Sequence, residues 1–568
     1  MTSRICRLMG SKFNTVVLDI ETDDLNATTI HCVVVQDYDT GEMLSFVGET
    51  IPTKLVGFIN DNPERKYIMH NGISFDAPVL NKLLGVKIKL SQILDTLIIS
   101  QMINPHIDGG HSLKAWGQRL DGEGKIDYDK GFDNYCEEML TYCKADVDLT
   151  RRLMQHLRPQ IARFSNESVR LEHKVKMILN WQEREGFYLD TKKAFSLMGK
   201  LEDESNIIKD NLQKIFPPIT HKRISEKTGK ELKSKIEVFN PGSRKQIASR
   251  LMELGWQPRK FTPTKQPIVD EKILSSLNYP EAKEVSQYLL LQKRVSQIKS
   301  WLDVVGSDNK VHGRVFTLGC VSHRMSHNSP NMAQVPASYS PYGKECRDCW
   351  TVSDPEKYCL VGSDASSLEL RCFAHYINDE KYTEEVVHGD IHSYNQRLAE
   401  LPDRPTAKTF IYAWLYGAGD QKIGEIVGGG IERGRQLREK FMDAIPAIKR
   451  LRNYVDQSAR KGIVKAIDGR YLIVRNQHSA LNTLLQGAGA IVCKQWLVNI
   501  IDLMKQKKIK AKPVANIHDE VQFEVCKEQA EEFGNITKEA MKCTEKQLYF
   551  KCPLDSEYSI GKTWKDTH

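Results

Sequence analysis

Four side chains repeated at every fourth position constrain this chain more than any other feature of its sequence. They lie in the segment RPTAKTFIYAWLYG, residues 404–417, and they are Arg404, Lys408, Tyr412 and Tyr416. On a helix of about 3.6 residues per turn, this spacing places two cations and two aromatic rings along one slowly drifting face. Such a face suits a triphosphate and a base, because guanidinium and ammonium groups bind polyphosphate and tyrosine rings are flat. The alternative is a solvated basic edge beside two core tyrosines, and the helix alone does not exclude it.

The length of 568 residues is too great for one ordinary core, so two or more domains are expected. The net charge of +8 is mild for this length; it is compatible with a nucleic-acid partner but does not predict one. No apolar run approaches the roughly 18 residues that span a bilayer, and the first ten residues lack the apolar region of an export signal. Thirteen cysteines without a dense framework fit a reducing compartment. We therefore expect no membrane association.

Three short motifs in the first 150 residues offer carboxylates that can share metal ions. Residues 16–21 are apolar and β-branched, which predicts a strand whose period of two places Asp19 and Glu21 on one face. A turn at 70–76 opens onto a predicted helix at 77–84 and offers Asp76. A predicted helix at about 135–157 carries Tyr142 and Asp146 on one face, four residues apart. The four acids form a hard oxygen-ligand set suited to two Mg²⁺ or Mn²⁺ ions.

In this order and spacing the motifs resemble those of the DEDDy 3′-to-5′ exonucleases, which have an α/β ribonuclease-H-like fold. The resemblance implies an exonuclease domain at residues 1–165. It implies that the four acids bind two metal ions, which generate the attacking hydroxide and stabilise the leaving oxygen. It also implies that Tyr142 orients the attacking water.

Residues from about 165 to 301 are predominantly helical by pattern. Helices are predicted at 171–185 and 244–254, with a short extended piece at 186–190 after the first. Residues 216–237 contain prolines and many lysines with little periodicity, which predicts an exposed loop. Residues 313–336 are interpreted as a polar surface loop.

Two further acidic segments flank the basic helix. Residues 358–364 predict a short buried strand that ends at Asp364 and passes into a helix reaching about residue 376. Residues 514–525 alternate around His518, Asp519 and Glu520, which predicts a hairpin with carboxylates near its tip. Either segment alone could be an ordinary strand with an acidic turn. Together with the helix at 404–417 they offer acids for metals and cations for phosphates.

These segments resemble motifs A, B and C of family A DNA polymerases, and residues 330–336, 390–392 and 482–487 fit the same family. The likeness is greatest to replicative polymerases of short-tailed phages. It implies an α+β right-hand polymerase domain at residues 166–568. The expected subdomains are a thumb at about 190–305, a palm at about 306–390 and 466–568, and fingers at about 391–465.

The same resemblance implies a role for each matching residue. Asp364 and Asp519, with the Ala365 carbonyl, are expected to hold two Mg²⁺ ions, and Glu520 is expected close by as a further catalytic acid. Glu369 is the expected steric gate against a ribose 2′-hydroxyl. Tyr412 is expected beside the sugar, Tyr416 at the templating base, and His392, Arg404 and Lys408 at the phosphates, with Lys408 also a candidate proton donor. The residues expected to contact DNA are Arg324, Gln486 and His518, the first two in the minor groove, where acceptors common to all base pairs report pairing geometry.

One position departs from the family pattern. The family usually has Thr-Gly-Arg where this chain has Ser322-His323-Arg324. Histidine does not readily replace glycine where φ must be positive, so the sequence does not determine the backbone conformation of this loop. We expect His323 to lie at the surface, with DNA contact as the alternative.

The implied activity is template-directed DNA synthesis with proofreading, for phage replication in the cytoplasm of an infected bacterium. Mg²⁺ is the expected cofactor, with Mn²⁺ as a substitute. The expected partners are primer-template DNA and dNTPs, with a phage helicase-primase and single-strand binding protein as candidates. Related phage polymerases can carry a long basic thumb insertion that recruits thioredoxin, but the interval 216–237 is much shorter, so no thioredoxin requirement is expected.

Three alternative functions are weighed against this one. A single-subunit RNA polymerase would share the Asp, Lys and Tyr positions, but Glu369 and the attached exonuclease motifs argue against it. A catalytically dead DNA-binding protein would need broken carboxylate sets, and neither set is broken. A nuclease with an inert second domain is disfavoured by the intact basic helix.

Overall fold

The computed structural model describes residues 13–121, 127–224, 229 and 231–568. The N-terminal part is built on a five-stranded mixed sheet with the order β3-β2-β1-β4-β5. Its strands are β1 (Thr15–Thr22), β2 (Ile30–Asp37), β3 (Met43–Val47), β4 (Lys66–Met69) and β5 (Ile93–Asp95). Because β1 pairs antiparallel with β2 and parallel with β4, Asp19 and Glu21 lie in the middle of the sheet.

Helices cover this sheet and complete its core. They are α1 (Val56–Asn60) after a π-helical turn (Ile51–Leu55), α2 (Asp76–Leu84), α3 (Thr96–Ile103), α4 (Leu113–Asp121) and α5 (Glu137–Ile161). Helix α5 packs against β1 and β2, and Val147 and Leu153 of the helix are fully buried, as are Val17 and Val34 of the strands. This packing brings the face of α5 that carries Tyr142 and Asp146 toward the central strand.

The next part of the chain is mainly helical. Its elements are α6 (Asn166–Glu185), β6 (Phe187–Leu189), α7 (Thr191–Ile215), β7 (Ile219–Ile224), β8 (Glu231–Glu237), α8 (Arg244–Glu253), α9 (Glu271–Ser276) and α10 (Pro280–Leu302). Long helices α7 and α10 pack against each other. Helix α6 contacts α3 on one side and the later elements α19 (Ala480–Gln506) and β16 (Ala511–Ile517) on the other, so it joins the two halves of the protein.

The prediction of a loop at 216–237 is wrong, although the exposure predicted with it holds for most of the described residues there; residues 225–228 and 230 lie outside the described residues. Strands β7 and β8 form an antiparallel two-stranded hairpin there. The sequence does not indicate these strands because none of the hairpin side chains that the structure describes is buried, so the residues need not alternate between apolar and polar. Ile236 is 65% exposed, which shows how little packing the hairpin has.

The interpretation of 313–336 as a polar surface loop is also wrong in part. The segment contains the hairpin strands β10 (Arg314–Phe316) and β11 (Ser326–Asn328) and a 3-10 turn (Met332–Gln334). Val315 and Met332 are buried. His327 is buried with them and its imidazole lies 2.7 Å from the Asn516 carbonyl, so a polar residue provides packing that hydropathy does not indicate.

The C-terminal half is organised around a four-stranded antiparallel sheet with the order β16-β17-β13-β18. Besides β16 its strands are β13 (Tyr358–Ala365), β17 (Glu520–Cys526) and β18 (Ser556–Gly561). The other strands are β9 (Lys310–Val311), β12 (Trp350–Thr351), β14 (Ile463–Lys465) and β15 (Tyr471–Ile473). The helices besides α19 are α11 (Gly343–Asp348), α12 (Leu368–Ile377), α13 (Glu380–Val387), α14 (Ile391–Ala399), α15 (Arg404–Leu415), α16 (Asp420–Ile426), α17 (Ile431–Ala444), α18 (Pro446–Ala459) and α20 (Ala530–Gln547). The strand at 358–364, its following helix and the hairpin at 514–525 are confirmed.

Helix α19 is the central core helix of this half. The helical stretch Gln477–Gln506 is long and apolar enough to cross a membrane by length and composition, but 89% of its most apolar window is buried inside the protein. Trp496 and Ile491 on this helix are fully buried. Burial of this kind is typical of a core helix.

A buried charge network joins the two halves at α6. Glu172 of α6 accepts hydrogen bonds from Lys494 of α19 at 2.7 and 2.8 Å and from Arg470, and all three side chains are fully buried. Arg470 also pairs with Asp468, with 2.8 Å between Nη2 and Oδ2. Burial opposes the charge of Glu172, but Lys494 and Arg470 outweigh it and hold its pKa below the ordinary value.

His323 belongs to this network, so the expectation of a surface position is wrong. Its side chain is only 1% exposed, and Arg470 Nη1 donates to its Nδ1 at 3.2 Å. Burial lowers the pKa of His323 well below its usual value, and the charges of Arg470 and Lys494 lower it further, so the ring is neutral. Its φ of 59° lies in the left-handed region, so histidine adopts the conformation that glycine would favour.

Replacing Glu172 with glutamine is expected to destabilise the protein by about 3 kcal/mol or more, because Lys494 is left as a buried charge without its counter-ion. Urea denaturation should show a lower midpoint for the variant than for wild type. Glu167→Gln, at an exposed position of the same helix, is the matched control. Equal midpoints for Glu172→Gln and the control would contradict this role of the network.

Candidate active sites

The first candidate site lies where α5 crosses β1. Carboxylate oxygens of Asp19 and Glu21 and the sulfur of Cys143 all lie within 4.8 Å of one another. Glu21 and Cys143 are buried and Asp19 is half-buried. The strand period therefore holds the two acids together as predicted. The cysteine was not predicted, although its place next to Tyr142 was visible in the sequence.

Asp76 approaches the same strand from the start of α2. Burial raises its pKa to about 7, and the nearby charge of Asp95 raises it further, while its own backbone N–H and that of Ile20 oppose the shift. The hydrogen bond from Ile20 places this carboxyl between Asp19 and Glu21 along β1. A carboxyl held in this way gains from a cation that takes the place of its proton.

Asp95 is a further buried acid that the motifs did not indicate. Its carboxylate accepts hydrogen bonds from the backbone N–H groups of Asn71 at 3.0 Å, Ile73 at 3.2 Å and Leu97 at 3.0 Å. It thereby fixes the turn that leads into Asp76 and caps the start of α3. The only sequence signal was an aspartate between a strand and a helix, which is typical of any N-cap.

Tyr142 and Asp146 occupy α5, one turn apart. Asp146 is buried, whereas Tyr142 is half-buried and packs against Tyr128 with 5.4 Å between ring centroids. Asp76 and Asp146 do not come within 4.8 Å of all three ligand atoms of Asp19, Glu21 and Cys143. The structure thus brings Asp19 and Glu21 into one tight cluster with Cys143, and it places Asp76 beside the same strand.

The second candidate site lies at the end of β13. Asp364 is directly opposite Glu520 in the β13–β17 register, and the Ala365 N–H donates to the Asp519 carbonyl at 3.0 Å. Burial raises the pKa of Asp364 to about 7, and the charges of Asp519 and Glu520 raise it further. Burial raises the pKa of Asp519 as well. Two neighbouring acids whose ionisation is disfavoured gain from a cation bound between them. Asp364 and Asp519, with the buried Ala365, therefore suit a divalent cation.

Glu520 is held in a network of its own. Its carboxylate accepts from Trp564 Nε1 and from Gln522 Nε2 at 2.7 Å, and lies 3.0 Å from His568 Nδ1 and 3.7 Å from Arg347 Nη1. Burial favours the neutral acid, but His568 and Arg347 outweigh it and hold the pKa of Glu520 below its usual value. Trp564, Arg347 and His568 were not predicted, because they converge from separate segments of the chain.

The basic helix of the sequence is α15, and its four side chains share one side. Arg404 and Lys408 are exposed, Tyr412 is half-buried and Tyr416 caps the C-terminal end. Arg404 Nε donates to Asp390 at 2.7 Å, whereas Lys408 has no hydrogen-bond or ion-pair partner among the residues described.

His392 completes the basic face of this helix. Its ring lies 6.1 Å from that of Tyr412. Burial lowers the pKa of His392, and the charges of Arg404 and Lys408 lower it further. Three nitrogen-bearing side chains therefore share one positive region.

Glu369 of α12 links this helix to the sheet. It accepts from the Tyr416 hydroxyl at 2.6 Å and from Arg324 Nη2 at 3.2 Å. Burial raises the pKa of Tyr412, and the charges of Glu369 and Asp519 raise it further, so Tyr412 faces both carboxylates. Helix α15 thus lies over the acids of the sheet.

A cavity beside Asp519 contains two of the three predicted DNA-contacting residues. Arg324 and His518 line it together with Met325, Leu368 and Cys493. Gln486 is half-buried on α19 and has Gly487 as its neighbour. A Cβ at Gly487 would lie 2.3 Å from Leu472 and 3.4 Å from the Ser322 carbonyl, so glycine allows the helix to approach the loop that holds Arg324.

Comparison with known proteins decides the family. The profile of DNA polymerase family A matches residues 218–566, and that of the 3′-5′ exonuclease matches residues 3–162. The chain belongs to DNA polymerase family A. It is a DNA-directed DNA polymerase with a 3′-5′ exonuclease domain, related to phage replicative polymerases.

Two phage relatives cover nearly the whole polymerase. The chain is 32% identical over 706 residues to the DNA-directed DNA polymerase of Enterobacteria phage T3 and, over the same length, to that of Escherichia phage T7. Each comparison covers 97% of this chain and 100% of the relative. Because the alignments are longer than the 568 residues here, the relatives contain inserted segments that this polymerase lacks.

A solved structure shares the fold. The polymerase domain of Pol1 from M. smegmatis, in complex with DNA primer-template and dNTP, matches with a TM-score of 0.80 at 18% identity. The match covers 97% of this polymerase and 96% of that chain. The predicted fold class, a ribonuclease-H-like exonuclease domain with a right-hand polymerase domain, is confirmed.

Proposed function

We propose that this polymerase replicates phage DNA in the cytoplasm of an infected bacterium, with separate synthetic and proofreading centres. The synthetic centre comprises Asp364, Asp519 and the Ala365 carbonyl, and the proofreading centre comprises Asp19, Glu21, Asp76 and Asp146. The observation that carries the proposal is that the charge of Asp519 acts on Tyr412 of α15, while the Asp519 carbonyl is bonded to the Ala365 N–H next to Asp364. Primer-template DNA and dNTPs are the substrates, and a phage helicase-primase and single-strand binding protein are candidate partners.

Metal ions fit both centres, because the raised pKa of Asp76 in one, and those of Asp364 and Asp519 in the other, mark carboxyl groups that a nearby positive charge would help to ionise. We assign two Mg²⁺ ions to each centre, with Mn²⁺ as a substitute. When bound, these ions activate the attacking oxygen and stabilise the departing one. The protein residues hold the ions, align the reacting groups and exclude water, with Glu520 supporting the sheet edge next to Asp364.

At the synthetic centre the incoming nucleotide lies along α15. Lys408 and His392 contact its phosphates, and Arg404 joins them once it leaves Asp390. Lys408 also donates a proton to the departing pyrophosphate. Glu369 blocks a ribose 2′-hydroxyl, and its bond to Tyr416 couples the sugar gate to the position of the templating base. Arg324, Gln486 and His518 contact the primer-template.

At the proofreading centre the 3′ end of a displaced strand enters beside β1. Tyr142 orients the water that attacks the terminal phosphodiester. Tyr142 precedes Cys143 on α5, and the Cys143 sulfur belongs to the cluster with Asp19 and Glu21. Because the two sets of acids lie on different sheets, excision and synthesis use different residues.

The proposal is tested by primer extension with dNTPs, with rNTPs and without nucleotide. We expect extension with dNTPs, little extension with rNTPs, and shortening of the primer without nucleotide. Extension with rNTPs at a comparable rate would contradict the assignment of Glu369. Absence of both extension and shortening would contradict the whole proposal.

Tyr412→Phe is expected to discriminate against dideoxynucleotides by roughly tenfold to a hundredfold. A ddNTP lacks the 3′-hydroxyl that can bind its own phosphates, and the phenol of Tyr412 can replace that donor, which contributes about 1.5 to 3 kcal/mol. Competition of ddTTP against dTTP on an exonuclease-silenced background measures the effect. Tyr416→Phe is the matched control, since its hydroxyl is bound to Glu369. If Tyr412→Phe and wild type discriminate equally against ddTTP, Tyr412 does not lie beside the sugar of the incoming nucleotide.

We propose that the polymerase does not require thioredoxin. The interval 216–237, where such a clamp would be recruited, is 22 residues long, and its described residues include strands β7 and β8. Product length on a primed single-stranded circle is therefore expected to stay unchanged when host thioredoxin is added. A large increase in product length would show that a clamp site exists after all.

A further inference from the structure

Cys143 brings a soft ligand into the proofreading centre. Its side chain is fully buried on α5, and its thiol donates to the Asp19 carbonyl at 3.6 Å and lies 3.8 Å from Asp19 Oδ2. Oxygen ligands suit Mg²⁺ and Mn²⁺, whereas sulfur selects thiophilic ions such as Zn²⁺ and Cd²⁺. A thiol among the carboxylates has no function in binding Mg²⁺.

The geometry of the cluster matches a thiophilic ion closely. A Zn–S bond is about 2.3 Å long and a Zn–O bond about 2.0 to 2.2 Å long. In a tetrahedral site, the sulfur and oxygen ligands are therefore about 3.5 Å apart. The observed separation between Cys143 Sγ and Asp19 Oδ2 is 3.8 Å, and Glu21 lies within 4.8 Å of both. Small side-chain rotations therefore bring one sulfur and two oxygens onto a single ion.

A second thiol lies next to the first. Cys32 of β2 is directly opposite Glu21 in the β1–β2 register, so both side chains share one face of the sheet. Cys32 is fully buried, and its thiol hydrogen-bonds to that of Cys143. Among the residues described, Asp19, Glu21 and Cys143 form the one group of three or more His, Cys, Asp or Glu ligands this close together. Within the described part of the chain, no thiol completes such a group with Asp364 and Asp519.

We propose that Cys143, with Asp19 and Glu21, makes the proofreading centre a binding site for a thiophilic divalent ion such as Zn²⁺ or Cd²⁺. The ion displaces Mg²⁺ from Asp19 and Glu21, the thiol proton passes to solvent, and excision stops. Cys143 thus determines which metal the exonuclease accepts. The inference rests on the proposed role of Asp19 and Glu21 as metal ligands.

The test uses the full-length polymerase and Cd²⁺, because cadmium thiolates absorb in the ultraviolet. Titration of wild type with Cd²⁺ is expected to give one more equivalent of charge-transfer absorbance than titration of Cys143→Ser. Excision in Mg²⁺ should be inhibited by Cd²⁺ at a concentration at least about tenfold lower for wild type than for Cys143→Ser, each measured relative to its own rate without Cd²⁺.

Two further variants make the result specific. Cys136→Ser removes a half-buried thiol of the same domain that bonds to Tyr128, and it should behave as wild type in both measurements. Cys143→Ala repeats the loss of sulfur without adding a hydroxyl, in case serine disturbs folding. Equal absorbance and equal Cd²⁺ sensitivity in wild type and both Cys143 variants would overturn the proposal. If wild type lacks excision in Mg²⁺, the proposed function fails, whereas the absorbance difference still decides whether Cys143 binds the ion.

Discussion

Asp364→Asn is expected to reduce primer extension by at least about a thousandfold while excision of single-stranded 3′ ends continues. Asparagine keeps the size of the side chain but removes the charge that holds a metal ion, and a metal ion contributes several kcal/mol to stabilisation of the transition state. The rate of single-nucleotide incorporation at saturating dNTP measures the effect. Folding is expected to persist, because loss of an acid whose pKa is raised relieves repulsion with Asp519.

Glu557→Gln is the matched control for this variant. Glu557 lies directly opposite Asp364 on β18, is exposed, and also adds negative charge near Asp364. If Glu557→Gln slowed extension as much as Asp364→Asn does, the effect would come from the total negative charge around Asp364. The assignment of Asp364 as a metal ligand would then fail.

The double replacement of Asp19 and Glu21 by alanine is expected to reduce excision by at least about a thousandfold and to leave extension within a few-fold of wild type. The two acids belong to the tight cluster on β1, and β1 lies in a different sheet from the strand that ends at Asp364. Release of mononucleotides from a labelled single strand measures excision.

Asp24→Ala is the control for the double variant. It removes an exposed carboxylate three residues from Glu21, at a turn where this carboxylate accepts from the Asn26 N–H at 3.4 Å. We expect normal excision by this control and loss of excision in the double variant. That result would show that excision depends on carboxylates of the cluster and not on any acid nearby. Parallel loss of extension in the double variant would contradict separate centres.

The residues that the sequence predicted well are those with a local pattern. Asp19 and Glu21 share a face because of the strand period, His518 and Asp519 lie at a hairpin tip between apolar strands, and α15 begins after Asp403, which caps it. In each case the pattern extends over a few residues, so it can be seen without knowing what packs against it.

The residues that the sequence missed depend on contacts between distant segments. His323 contacts Arg470, 147 positions away, and it has a positive φ of 59°. Glu172 meets Lys494, 322 positions away. Neither contact has a periodic signal, and a lone histidine or glutamate in a polar stretch is most often exposed.

The hairpin β7–β8 was missed for the opposite reason. Its strands are held by backbone pairing with little burial, so hydropathy carries no information about them. Cys143 was missed for a third reason. The motif on α5 indicates only Tyr142 and Asp146 as functional residues, whereas Cys143, which lies between them in the sequence, belongs to the cluster with Asp19 and Glu21.

The central claim, that one chain contains two independent centres, is tested most directly on a primer with a mismatched 3′ end. Wild type should remove the mismatch and extend to full length, Asp364→Asn should only shorten the primer, and the Asp19→Ala, Glu21→Ala double variant should stall at the mismatch. A mixture of the two variants should restore full-length product, because each supplies the centre that the other lacks. The opposite result would be that the mixture gives no full-length product and that each variant alone neither shortens nor extends a matched primer. That result would show that the two sets of acids form one functional unit.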